Sequence, residues 1–142
     1  MGDDWTEVSV RGVVIDPVTG EPTILVEDEQ RVSILAIPAD PASAGSIISV
    51  VEGIDPEAGD DLLIRFFRRH GVIVSGISID RAQNGDLVAV LHYIIGNQAE
   101  QLAVNPAEGL LLSARSGAPV FVHYALINEV EAVTSPRVAD AS

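Results

Sequence analysis

Within the segment RFFRRHG, three arginines (Arg65, Arg68 and Arg69) fall inside five residues of a chain that has no lysine and eight basic residues in all. Guanidinium groups at that density are phosphate-binding chemistry, because each presents a rigid fork of donors to the oxygens of an anion. Arg115, late in a second apolar segment, offers the same group. Acidic residues stand where helices are expected to begin: Asp40, the pair Asp60 and Asp61, and Glu108. A carboxylate at such a place caps free N–H groups and is stabilised by the helix dipole, so a structural role accounts for each of the four. The arginines have a structural role too, since cations in the last turn of a helix favour its dipole.

Other chemistries are missing from the sequence. There is no cysteine, which removes disulfides, zinc thiolates and thiol nucleophiles. His70, His92 and His123 are isolated among apolar neighbours and show no metal-ligand spacing. No GxGxxG or GxxxxGK phosphate loop occurs, and no serine sits in a GxSxG elbow. With 21 acidic residues against 8 basic ones the net charge is −13, which repels polyanions at long range and leaves the arginine cluster as the local exception. No apolar run approaches the ~18 residues of a membrane span, and the opening MGDDWTEV lacks the basic and apolar regions of a secretory signal. A single domain over residues 1–142 in the cytoplasm is the simplest expectation.

The elements that must position these residues are written twice. VSVRGVVID (residues 8–16) returns as VIVSGISID (residues 72–80), with Gly12 matching Gly76 and Asp16 matching Asp80 at an offset of 64. The series continues in register: Gly20 with Gly85, DPAS (residues 40–43) with NPAE (residues 105–108), and Gly53 with Gly117, all at 64 or 65. Two copies are too few for a solenoid, so they are expected to pack about a pseudo-twofold inside one domain.

Each copy predicts three strands and a helix. The β-branched segments VSVRGVVI and VIVSGISI read as strands, followed by turns at DPVTGEP and DRAQNGD and by second strands TILVE and LVAVLHYII. RVSILAI and EQLAV are third strands, after the short turns EDEQ and GNQA. Helices follow through ASAGSIISVVEG and AEGLLLSARSG, with Asp40 and Asn105 as caps, Pro41 and Pro106 at the first helical position, and Glu108 placed to bond back to its cap. GDDLLIRFFRRHG, between the copies, predicts a further helix whose apolar face, Leu62, Leu63, Phe66 and Phe67, anchors in the core with the arginines opposite. APVFVHYAL supplies a last strand. The fold class is therefore α+β, in the order βββα–α–βββαβ, with its core over residues 8–131 and loose tails at residues 1–6 and 134–142.

At NPAEGLLLSARSGAPVFV the chain resembles the bifunctional nuclease domain, a family with DNase and RNase activity. GVVIDP (residues 12–17) matches the family's first strand, Asp61, Leu62 and Leu63 match its Asp-Leu-Leu helix start, and GAPVFV (residues 117–122) matches its closing strand. The polar positions differ: Asp60 stands where the family has His, Asn105 for Arg, Ala107 for Ser and Glu108 for Asp. The resemblance implies metal-assisted phosphodiester hydrolysis, with Glu108 and Asp61 as ligands to Mg²⁺ or Mn²⁺, Asp40 as a further ligand, and Asp60 in the position of the family's histidine. Arg65, Arg68, Arg69 and Arg115 would then face nucleic acid. The altered positions imply activity that is weak or lost, and a non-catalytic scaffold that binds itself or a partner is the alternative. A homodimer is expected, because family members pair and because a chain 47% hydrophobic leaves apolar surface to cover.

Overall fold

The computed structural model describes residues 4–28, 34–52, 62–123 and 125–126. The elements are β1 (Trp5–Ile15), β2 (Pro22–Asp28), β3 (Ile34–Pro38), α1 (Pro41–Val51), α2 (Leu62–Arg69), β4 (Ile73–Arg81), β5 (Leu87–Ile95), β6 (Gln98–Val104), α3 (Pro106–Ser116) and β7 (Val120–His123). This is the order the sequence predicts. Local chemistry explains the breaks. After β1, Asp16 Oδ1 accepts the Val18 N–H at 2.8 Å, and Asp16 O accepts the Gly20 N–H at 2.8 Å. Between β5 and β6, Gly96 and Asn97 both adopt positive φ, 56° and 68°, the geometry of a tight two-residue hairpin.

All seven strands form one sheet in the order β3-β2-β1-β7-β4-β5-β6. The duplication is visible in its symmetry. Each copy is an antiparallel meander, and β7 lies between them, antiparallel to β1 and parallel to β4. The register of β1 against β2 slips between Val10 and Gly12, and that of β4 against β5 slips between Val74 and Gly76. The two irregularities are equivalent residues of the repeat. α1 and α3 each run 11 residues, pack against each other and cover one face of the sheet. Beneath them lie Ile24, Val26, Leu35 and Ile37 of the first copy, and Ile77, Ile79, Ala89 and Leu91 of the second. Val120 and Val122 of β7 complete this floor, and Ile47 and Leu110 enter it from the helices.

Two expectations need correction. β1 begins at Trp5, not after a loose tail of residues 1–6, because Trp5 pairs with His123 across to β7 and their rings meet edge to face at 5.2 Å. Residues 134–142 lie outside the described residues. The second correction concerns α2. Leu62, Leu63 and Phe66 are not core anchors: they are 73%, 45% and 54% exposed, Phe67 is half-buried, and Ile64 is the buried residue of the helix. The helix is turned so that the flank of its apolar stripe, not the middle, meets the protein. A short helix linked to neither neighbouring copy by a shared strand takes its rotation from whatever it touches, which periodicity does not specify.

The repeated glycines separate in the same way. A Cβ on Gly76 would stand 3.3 Å from the carbonyl oxygen of Pro119, whereas a Cβ on Gly12 meets nothing within 4 Å. The insertion of β7 beside β4 creates this difference. Gly76→Ala is expected to lower stability by about 1–3 kcal/mol through overpacking against backbone, and Gly12→Ala to be tolerated. Urea midpoints of the two variants check this, and equal midpoints would contradict it.

Candidate functional site

The residues singled out by chemistry sit mainly at helix ends. Asp40 caps α1: its carboxylate accepts the Ser43 N–H at 2.8 Å and the Ser43 hydroxyl at 2.9 Å, so each oxygen already has a donor. The backbone bond from Ser43, followed by the hydroxyl, holds the Asp40 carboxyl below the ordinary aspartate value. Asn105 caps α3 through Oδ1, which accepts from Ala107 N at 2.9 Å and Glu108 N at 3.4 Å. Glu108 occupies the first turn of α3 and is exposed. Its carboxylate accepts no hydrogen bond from the described residues, so the return half of a capping box is not made there.

Asp40 follows β3 and Glu108 follows β6, the two edge strands of the sheet, and each stands at the start of a different helix. Asp60 and Asp61 lie outside the described residues. Among the described residues no three His, Asp or Glu side chains converge in a way that could hold a metal ion. Arg65, Arg68 and Arg69 are exposed on α2, and Arg115 is half-buried at the end of α3.

One polar pair escaped the sequence reading. Ser78 Oγ lies 2.8 Å from His92 Nε2, on the face of the sheet opposite α1 and α3. Ser78 is buried, and the imidazole satisfies its hydroxyl. Among the described residues no group is bonded to the other ring nitrogen, and none there supplies the third member of a nucleophilic triad. Its only advance signal is that both residues lie in predicted strands, and the strand register that joins them is not written locally.

An open groove of about 540 Å³ runs between β1 and the ends of the two long helices, lined by Val8, Val10, Val51, Leu110, Ser113 and Pro119 among others. Gly117, Ala118, Pro119 and Val120, the start of the segment GAPVFV, form part of its lining. Gly117 closes α3 in the left-handed conformation, φ 77°. Ser113 Oγ donates to the Ala118 carbonyl, and the Pro119 carbonyl accepts the Ile77 N–H at 3.0 Å. The segment is thus the joint that threads β7 between the two copies.

A family model for the bifunctional nuclease domain matches residues 23–135, most of the chain. The chain belongs to the bifunctional nuclease domain family. The match takes in α2, α3 and the β7 joint, and begins after residues 12–17, whose likeness to the family's first strand rests on the sequence motif alone. No curated protein matches the chain. Within the matched domain Asn105 serves as a helix cap. Among the described residues no helix is long and apolar enough to cross a membrane.

Proposed function

We propose that this protein is a bifunctional-nuclease-like domain whose metal-assisted hydrolysis of DNA or RNA is weak or absent. The observation that supports the reading is that no cluster of three His, Asp or Glu side chains forms among the described residues, with Asp40 and Glu108 each at the start of a separate helix. Any residual activity would centre on Glu108 and Asp61, the two acidic positions that follow the family pattern, with Mg²⁺ or Mn²⁺ supplying water activation. Asp60 offers no imidazole there for proton transfer. Nucleic acid would meet Arg65, Arg68, Arg69 and Arg115 against a net charge of −13, so cleavage would weaken steeply with salt. A cytoplasmic location suits this reading.

The test is a titration of Mg²⁺ and Mn²⁺ against single-stranded and duplex substrates with highly purified protein. The expected result is slow, salt-sensitive cleavage or none, with any metal-dependent signal removed by Glu108→Ala and by Asp61→Ala while circular dichroism is unchanged. Robust cleavage that survives both substitutions would place the site elsewhere and overturn the assignment.

A second reading, a self-associating scaffold, is favoured by one observation: among the described residues, the amphipathic helix α2 exposes Leu62, Leu63 and Phe66. It leads to a homo-oligomer, most simply a dimer. Light scattering that finds only a 15.0 kDa species at micromolar concentration would refute it.

A further inference from the structure

We propose that Asn84 is a site of self-modification, where the peptide nitrogen of Gly85 displaces the side-chain amide and leaves aspartate or isoaspartate at position 84. Of the four asparagines in the chain, Asn84 alone precedes a glycine. A glycine has no side chain to shield its peptide nitrogen, and it turns freely into the conformation that closes a succinimide ring. Asn84, Gly85 and Asp86 are all exposed between β4 and β5, Gly85 has φ 92°, and a Cβ on it would meet nothing within 4 Å. The other described asparagines are held differently. Asn105 precedes Pro106, which has no N–H to lose, and its Oδ1 caps α3. Asn97 precedes Gln98, whose peptide is already part of β6.

The repeat separates the chemistry from the architecture. Thr19 and Gly20 occupy in the first copy the places of Asn84 and Gly85. Thr19 Oγ1 accepts the Glu21 N–H at 3.2 Å, as Asn84 Oδ1 accepts the Asp86 N–H at 3.0 Å, and both glycines have positive φ. A hydroxyl therefore closes the same kind of turn. Only the asparagine adds an electrophilic carbon, and the Asp86 N–H on Oδ1 draws electron density from it. In the step, hydroxide removes the Gly85 amide proton, the nitrogen bonds to Cγ, and the Cγ–Nδ2 bond breaks as ammonia leaves with a proton from water. Water then opens the imide, at Cγ to give aspartate or at the main-chain carbonyl to give isoaspartate. Gly85 N–H donates to Ala82 O at 2.9 Å, so the turn must open for attack, and folding slows the step relative to the unfolded chain. Aspartate at this position sets a carboxylate beside Asp86 Oδ2, which accepts from Asn84 Nδ2 at 3.2 Å. Isoaspartate lengthens the main chain inside a turn fastened by Ala82 N–H to Asp86 O at 2.8 Å.

The test holds the full chain for days at mildly alkaline pH, then digests it and reads its peptides by mass spectrometry with electron-transfer fragmentation, which separates isoaspartate from aspartate. The expected result is release of ammonia, most of the converted asparagine at position 84, and isoaspartate in excess of aspartate there. Asn84→Thr, which restores the side-chain bond of the first copy, should lose this conversion and keep the melting temperature of fresh wild type, while aged wild type melts lower. Conversion chiefly at Asn97, or at position 84 in the urea-unfolded chain but not in the folded protein, would overturn the site. Aspartate without isoaspartate would overturn attack by Gly85, since water acting directly on the amide gives that product alone. Aged wild type that melts like the fresh protein would overturn the stated effect on the turn.

Discussion

Ile77→Ala is expected to remove about 2–5 kcal/mol of folding stability, whereas Phe66→Ala, on a helix whose sequence looks far more core-like, should change it by about 0.5 kcal/mol. Ile77 has no solvent exposure and occupies a central strand, paired with Leu91 on one side and Val120 on the other. α3 is held close above it: a Cβ placed on Gly109 would stand 3.1 Å from Ile77 Cγ2. Deleting three carbons there opens a void under a helix that is also tied to α1, so collapse is limited and the cavity penalty adds to the lost burial. Phe66 is 54% exposed, and its ring neighbour is His70 at 4.4 Å, itself exposed. Urea denaturation at concentrations where the chain is monomeric measures both. A large loss for Phe66→Ala, or a negligible one for Ile77→Ala, would reverse the burial assigned to α2 and β4.

The second large effect concerns β7. A chain ended at Gly117 should lose its cooperative unfolding transition. β1 and β4 do not pair with each other in the seven-stranded order, so β7 is the strand that joins the two copies through the sheet. Val120, Val122 and Leu126 are buried to 5%, 0% and 1% exposure. At about 1.5–3 kcal/mol for each buried aliphatic side chain their loss amounts to roughly 5–9 kcal/mol. That is comparable to the ~5–15 kcal/mol that holds a typical domain folded. The helix contact between α1 and α3 would remain, but over a split floor. Calorimetry of the shortened chain should show a broad, weak transition, with dye binding to exposed apolar surface. A sharp transition near that of the full chain would mean that the copies are held together chiefly by the helices.

These results bear on how the family motif is understood in this chain. GAPVFV lies inside the span that matches the bifunctional nuclease domain, and every contact described for it is architectural: a left-handed helix end, a hydroxyl that ties the Ala118 carbonyl, and a carbonyl that receives Ile77 N–H. A chain can therefore carry this motif because its two halves must be joined, whatever its chemistry.

What the sequence by itself determined was the local and the repeated. Strand propensity, turn residues, and the caps Asp40 and Asn105 each act over a few residues, so the ten elements and their order could be read before any packing was known. The duplication could be read as well, because equal sequence at offsets of 64 and 65 imposes equal local structure, down to matching slips of register at Val10–Gly12 and Val74–Gly76. Only the tertiary structure decided the rest. Periodicity showed that α2 is amphipathic but not which side meets the protein, because a helix's rotation is set by the neighbours it finds; the buried residue proved to be Ile64 and not Phe66. Ser78 and His92 become partners through strand register, which depends on a turn several residues away from either. That β3 and β6, the strands ahead of Asp40 and Glu108, form the two edges of one sheet follows from how the two meanders join, with β7 between β1 and β4. Residues of the right type for chemistry were legible one by one, but their convergence is a property of the sheet, and no short stretch of sequence encodes it.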